Sequence, residues 1–318
     1  MTTKPSKEPF DSGLLQMPDG AEIYWEASGN PRGKPALYLH GGPGSGLRSG
    51  SYRNHFDLER YFLIGIDQRG CGRSRPSVND APESLQANTT QALIEDIEAV
   101  RGHLGVARWL VSGVSWGTTL ALAYALAHTD RVTELALVAV TTTSREEIDW
   151  ITEGMGRVFP EAWQRFEAES GRTAGERIVE AYARRLATGE QHERQVAARA
   201  WNAWESVHIS LDPNWTPIES RFDEARALAF ATLVTHYWAN DGFFRDGGEI
   251  VSRIAEIGHI PAMLIHGRRD ISGPAIIAWR LHRSWPASRL HIVESEGHGG
   301  PESFAMLRAA LDAFAKVR

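Results

Sequence analysis

Trp109-Leu110-Val111-Ser112-Gly113-Val114-Ser115-Trp116-Gly117-Thr118-Thr119-Leu120-Ala121-Leu122-Ala123-Tyr124-Ala125-Leu126-Ala127 decides how this chain folds. Trp109-Leu110-Val111 is a short apolar run that reads as a strand, and Thr118 to Ala127 reads as a helix. Gly113-Val114-Ser115-Trp116-Gly117 lies between them. Strand, Gly-x-Ser-x-Gly, helix is the context of a nucleophile elbow. Its glycines permit a turn too tight for side chains. The turn lifts the serine hydroxyl above the sheet edge, and the new helix points its positive end at the site. Gly and Ser are common, so the pentapeptide alone also marks ordinary turns. The rest of the chain must supply an acid, a base and an oxyanion site, in the order Ser, Asp or Glu, His.

The acid and base follow in that order. Pro261-Ala262-Met263-Leu264-Ile265-His266 is an apolar strand candidate that ends in Gly267-Arg268-Arg269-Asp270. Asp270 thus stands just past the carboxyl end of a strand; a surface turn is its bland alternative. Leu290-His291-Ile292-Val293 is a further strand, followed by Glu294-Ser295-Glu296-Gly297-His298-Gly299-Gly300. His298 lies in a glycine-flanked loop of little apolar character, whereas a core histidine would sit within a periodic segment. Upstream, Ala36-Leu37-Tyr38-Leu39-His40 runs into Gly41-Gly42-Pro43-Gly44-Ser45-Gly46. No Lys-Ser or Lys-Thr follows these glycines, and no Gly-x-Gly-x-x-Gly enters a helix, so a phosphate loop is not indicated. A His-Gly-Gly turn offers bare backbone N–H groups to an oxyanion instead. The expected donors are the amides of Trp116 and of Gly42, or of Gly41.

Composition narrows the class. The chain has 318 residues, long enough for one large domain or a core with an insertion. A net charge of −6, with Arg and Lys dispersed among Glu and Asp, gives no basic block for nucleic acid or a membrane surface. One cysteine, Cys71, excludes an internal disulfide and a cysteine-rich metal site. No apolar export stretch opens the chain, and no run approaches a membrane span. The expectation is a cytoplasmic protein that uses no cofactor and no metal, and binds neither nucleic acid nor membrane.

Two composition regimes organise the chain. From about residue 20 to 140 strands alternate with helices: Glu22 to Ala27, Ala36 to His40, Tyr61 to Ile66, a helix from Thr90 to Leu104, the elbow, and a strand from Leu135 to Val140. The alternation resumes near Ile260, with helices expected at Ala275 to Ser284 and Glu302 to Lys316. Alternation predicts a mostly parallel sheet with helices on both faces. The intervening 143–243 is rich in Ala, Arg, Glu and Trp, and helices are expected at 197–205 and 225–231. The expected domains are a core of 1–142 and 244–318 and an inserted helical cap of 143–243. An insertion at the carboxyl ends of the strands frames the ligand crevice.

The motifs together resemble the proline iminopeptidase (prolyl aminopeptidase) family of the α/β-hydrolase superfamily. The matching stretches are His40-Gly41-Gly42-Pro43-Gly44, Asp67-Gln68-Arg69-Gly70-Cys71-Gly72-Arg73-Ser74, the elbow, Trp201-Asn202-Ala203-Trp204-Glu205, His266-Gly267-Arg268-Arg269-Asp270 and Gly297-His298. They span nearly the whole chain. The resemblance implies an α/β-hydrolase fold with an eight-stranded, mostly parallel sheet and an inserted helical cap. It implies a metal-free serine hydrolase with Ser115, Asp270 and His298 as catalytic residues, which removes an N-terminal residue, typically proline, from small peptides or amides with a free N-terminus. It also implies that Glu205 binds the α-amino group. That amine is cationic or nearly so near neutral pH, and a carboxylate in a partly dry pocket would hold it by a charge-assisted hydrogen bond.

The chain departs from the family pattern on the substrate side. Val234 stands where the family places a second glutamate, and Val138 where it places an arginine. Thr141 replaces an aromatic wall of the proline pocket, and Ile151 and Thr152 an aromatic pair. Losing the arginine together with a neighbouring glutamate leaves neither charge unpaired. A related amidase or esterase, or an aminopeptidase of broader preference, is the alternative on the same scaffold. A non-catalytic binding protein is the more distant one. Cys71 reads as a packing residue, and Asp67 and Arg69 as an internal ion pair ordering the oxyanion turn.

Overall fold

The computed structural model describes residues 8–48, 50–209, 211, 223–244 and 249–316. Among these, eight strands form one sheet: β1 (Asp11–Gln16), β2 (Glu22–Gly29), β3 (Lys34–Leu39), β4 (Tyr61–Ile66), β5 (Trp109–Val114), β6 (Val132–Val138), β7 (Ala262–Gly267) and β8 (Ser288–Val293). Their spatial order is β1-β2-β4-β3-β5-β6-β7-β8. The β1–β2 and β2–β4 pairs are antiparallel, and every pair from β4 to β8 is parallel. The sheet is thus the mostly parallel eight-stranded one expected.

Helices follow the parallel strands: α1 (Thr90–His103), α2 (Trp116–Ala127), α3 (Arg145–Thr152), α4 (Pro160–Ser170), α5 (Ile178–Thr188), α6 (Gln191–His208), α7 (Glu224–Ala239), α8 (Glu249–Arg253), α9 (Ile276–Arg283) and α10 (Pro301–Phe314). Alternate strand residues feed two apolar layers, one on each face of the sheet. Leu37, Val111, Leu135, Leu137 and Leu264 join the layer of α1 and α2. Ala36, Leu110, Ala136, Val138 and Ile265 join Leu307 and Leu311 of α10 on the other face. Two-sided burial explains why these strands read as continuous apolar runs rather than alternating ones.

The segment between β6 and β7 carries α3 to α8 and no strand among the described residues. β6 ends two residues before the expected Val140. Ala139 takes a left-handed φ of 52°, and the Val140 amide leaves the ladder to donate to His266 Nδ1 at 3.0 Å. The segment is then pinned. Thr118 and Thr119 hydroxyls donate to Thr141 O, and the buried Glu147 carboxylate accepts from Thr141 Oγ1, Thr142 Oγ1 and the amides of Thr142 and Ser144. At its far end α7 leans on the glycine turn after β3. A Cβ added to Gly44 would stand 2.8 Å from Leu233 Cδ1, and one on Gly42 3.3 Å from Phe230 Cε2.

The elbow requires its glycines. A Cβ on Gly117 would come within 2.2 Å of Leu39 O, and one on Gly113 within 2.3 Å of Gly117 O. Both contacts are with backbone, of β3 in the first case and of α2 in the second. Gly117→Ala is expected to lower stability by about 3 kcal/mol through overpacking. Thermal unfolding reads this as a clear fall in melting temperature; an unchanged midpoint would mean that β3 and α2 separate at no cost.

Candidate active site

Ser115 closes β5 and opens α2 with φ 56° and ψ −128°, a conformation L side chains rarely adopt. The turn holds that strain with two backbone bonds: the Ser115 amide donates to Val138 O at 3.0 Å, and the Thr118 amide to Ser115 O at 2.7 Å. Strain of this kind concentrates at functional positions. It leaves Ser115 Oγ 2.9 Å from His298 Nε2, while His298 Nδ1 lies 2.7 Å from Asp270 Oδ2. Three side chains far apart in sequence therefore form one hydrogen-bonded chain. With Nδ1–H donating to the carboxylate, Nε2 is free to accept the serine proton.

The ends of two strands and the loops beyond them hold this chain in place. Asp270 follows β7; its second oxygen accepts from Ser272 Oγ and the Gly273 amide, each at 2.9 Å. His266 on β7 accepts from the Val140 amide through Nδ1 and donates from Nε2 to Gly273 O at 2.6 Å, so one ring ties β6 to the Asp270 loop. His298 follows β8, and its loop is anchored by buried Glu296, which accepts from the amides of Glu302 and Ser303 at the start of α10.

Electrostatics favours an ionised acid beside a basic imidazole. Burial alone would raise Asp270, but the His298 charge and hydrogen bond, then His266 and the Gly273 amide, bring it below its ordinary value. Burial alone would depress His298, but Asp270, by charge and hydrogen bond, and Glu205 hold it above its ordinary value.

Trp116, expected from sequence as an oxyanion donor, directly follows the serine in the chain. Trp116 is the first residue of α2, so its amide has no acceptor in a preceding turn. Gly42 has a φ of 113°, and its amide meets no acceptor among the described residues. Gly41 packs directly on the nucleophile: a Cβ there would stand 3.2 Å from Ser115 Cβ. Gln68 braces the whole turn. Its amide donates to His40 Nε2, its side-chain amide to His40 O, and it accepts from the Trp116 indole at 2.9 Å.

The Asp67–Arg69 ion pair expected from sequence does not form. Asp67 accepts from the Leu47 amide at 2.6 Å and from Arg73 Nε at 2.8 Å. Arg69 turns the other way, bidentate to Asp96 on α1 and paired with Asp19. Asp67 still orders the loop after the oxyanion turn, but through a backbone amide. Cys71 is buried against Gln68 O, and burial pushes its thiol far up, which suits packing and not a nucleophile.

Glu205 lies on α6, partly buried and with no cationic partner in salt-bridge range among the described residues. Burial raises its carboxyl to about 7, against the opposing pull of His298 and of the Trp201 indole N–H, which stops short of a full hydrogen bond. Its charge is thus felt at the base. Trp201 and His208 share its helix face at spacings of four and three. Sequence reasoning missed His208 and Ser272; the α6 spacing was the available signal for the first.

The positions that depart from the family pattern lie inside the fold. Val138 is in the α10-side layer, Val234 is fully buried on α7, and Ile151 and Thr152 are buried on α3. Thr141 spends its hydroxyl on Glu147. Among the described residues no three His, Cys, Asp or Glu side chains are grouped to hold a metal ion, and no helix is long and apolar enough to cross a membrane.

Comparison with known proteins agrees with this architecture. A family model described as the alpha/beta hydrolase fold matches residues 34–303. A Streptomyces coelicolor protein named "Probable proline iminopeptidase" is 43% identical over 321 aligned residues, covering 99% of this chain and 98% of its own. A proline iminopeptidase of Xylella fastidiosa is 40% identical, covering 98% of this chain and 99% of its own. Among solved structures, proline iminopeptidase of Mycobacterium smegmatis superposes with a TM-score of 0.61 over 96% of this chain and 99% of that one. At 21% identity, that last likeness speaks for the fold alone.

Proposed function

This chain belongs to the proline iminopeptidase family of the α/β-hydrolase superfamily, and from that membership we propose a serine aminopeptidase that releases the N-terminal residue, proline foremost, from small peptides and amides with a free amine. Ser115 is the nucleophile. His298 takes its proton as the hydroxyl attacks the first carbonyl carbon, and Asp270 orients the imidazole and stabilises its protonated form. The amides of Trp116 and Gly42 hold the developing oxyanion. His298 then protonates the leaving amine as the carbon–nitrogen bond breaks, and water, deprotonated by the same imidazole, releases the acyl group from Ser115. Residues 143–243 act as the cap that selects the substrate over a core of 1–142 and 244–318.

The observation that carries an aminopeptidase over a general esterase is the partly buried, unpaired carboxylate of Glu205, charge-linked to His298. In the free enzyme that carboxyl sits near 7. A cationic amine beside it favours the ionised form, so substrate and carboxylate neutralise each other on binding. That contact sets how far the chain end reaches, and hence which carbonyl meets Ser115.

A panel of aminoacyl aryl-amides, their N-acetylated forms and simple aryl esters tests the reading. Pro-arylamide is expected to be cleaved best, and the N-acetylated forms hardly at all. Glu205→Gln is expected to lower kcat/KM on the free-amine amides by about 10²-fold, the cost of leaving a desolvated amine without its counter-charge. Ester-only activity, or indifference to N-acetylation, would sink it. A broader N-terminal preference is the second reading, favoured by the buried Val234 and Val138 and by Thr141 bonding inward. Alanine and leucine amides cleaved as well as proline would select it.

A further inference from the structure

His208 occupies the last turn of α6, three residues beyond Glu205 on the same face. Its ring is 1% exposed, and neither Nδ1 nor Nε2 has a hydrogen-bond partner. It packs on Trp204 at 5.2 Å between ring centroids. Just beyond it, the Leu211 amide donates to Arg269 O at 3.0 Å, so this end of the helix closes onto the loop that carries Asp270. The ring is near enough to His298 and Asp270 to feel both their charges, whereas Glu205 is linked to His298 and not to Asp270. Burial pushes the imidazole down to about 3, so it is neutral at working pH, with one N–H to give and one lone pair to receive.

A buried imidazole with two idle nitrogens destabilises the free protein, because each unmade hydrogen bond carries a desolvation cost. Nothing in the described chain offsets that cost. Leucine would fill the space without it. The side chain that needs a partner lies at the end of α6 that closes onto the Asp270 loop, while the anchor proposed for the substrate amine lies one turn back on the same helix face. The group His298 protonates is the departing amine, so the peptide beyond the cleaved bond leaves past that base.

On the aminopeptidase reading above, we propose that His208 is a specificity residue for the leaving peptide: its ring N–H donates to the carbonyl or carboxylate oxygen of the residue that follows the scissile bond. A peptide offers that oxygen and an aryl-amide does not. His208 thereby favours true peptides over amides of equal reactivity.

The test compares kcat/KM for one N-terminal residue carried on two leaving groups, as in Pro-Ala and Pro-p-nitroanilide, in the full-length wild type, His208→Leu and His208→Gln. In His208→Leu the peptide-to-arylamide ratio is expected to fall about tenfold or more, whatever happens to the aryl-amide itself, and the melting temperature to rise. His208→Gln, which keeps an N–H donor, is expected to recover part of the ratio. An unchanged ratio in His208→Leu, whether both rates hold or both fall together, overturns the proposal and leaves the aminopeptidase reading standing. A wild type that cleaves neither substrate overturns both.

Discussion

Ser115→Ala is expected to cut turnover of the best aminoacyl aryl-amide by about 10⁴- to 10⁶-fold. The magnitude follows from what the substitution leaves. The proposed oxyanion donors Trp116 and Gly42 and the proposed amine anchor Glu205 would remain to bind and polarise an amide, so catalysis above the background of water is expected to persist. Attack by the hydroxyl is gone, and His298 Nε2, which lies 2.9 Å from Ser115 Oγ in the wild type, has no proton to take. KM should change little, because Ser115 Oγ contributes to bond making and not to anchoring. The fold should also change little: alanine keeps a Cβ at φ 56°, so the strain at the elbow is the same. Steady-state kinetics with an organophosphonate label as a second readout checks this. Near-normal turnover, or label retained in the alanine protein at the same stoichiometry, would take Ser115 out of the role.

Residues whose environment is local were legible in sequence. The elbow declares itself through two glycines whose Cβ atoms would collide with backbone, between a buried strand and a buried helix. Asp270 and His298 follow apolar strands in glycine-marked loops, and the sheet brings such loops to one edge. β1 was not read: Asp11–Gln16 is an exposed edge strand in which only Leu14 and Leu15 are apolar. α3 to α5 were read only as helical composition; α4 and α5 pack chiefly on α6 and α7. Asp67 and Arg69 are two residues apart with opposite charges, and sequence pairs them. The chain instead sends Arg69 to Asp96 and Asp19 and leaves Asp67 to Arg73 and Leu47. His208 shows the same limit from the other side. Its helical spacing from Glu205 is visible in sequence, but the absence of a partner for either nitrogen is a property of the packed fold.

Asp270→Asn should come second in effect, near 10⁴-fold in kcat, with a signature that loss of folding would not give. The carboxylate now accepts from His298 Nδ1–H, from Ser272 Oγ and from the Gly273 amide. Asparagine keeps the size and one acceptor oxygen. The Ser272 and Gly273 donors converge on Oδ1 and claim that oxygen, which turns the new NH2 group toward His298. Facing a donor, the imidazole moves its proton to Nε2 and can no longer accept from Ser115. The pH profile should shift as well. His298 must be unprotonated to act as base, and in the wild type Asp270 and Glu205 hold its pKa above the ordinary 6.5, so the acid limb of kcat/KM lies above that value. Without the Asp270 charge, burial is the larger influence left and pulls the imidazole down, so the limb of the residual activity moves to lower pH. Glu205→Gln removes the smaller of the two raising charges and should move it the same way by less. A residual profile that keeps its wild-type acid limb while kcat falls 10⁴-fold would mean that Asp270 sets the position of the His298 ring but not its charge.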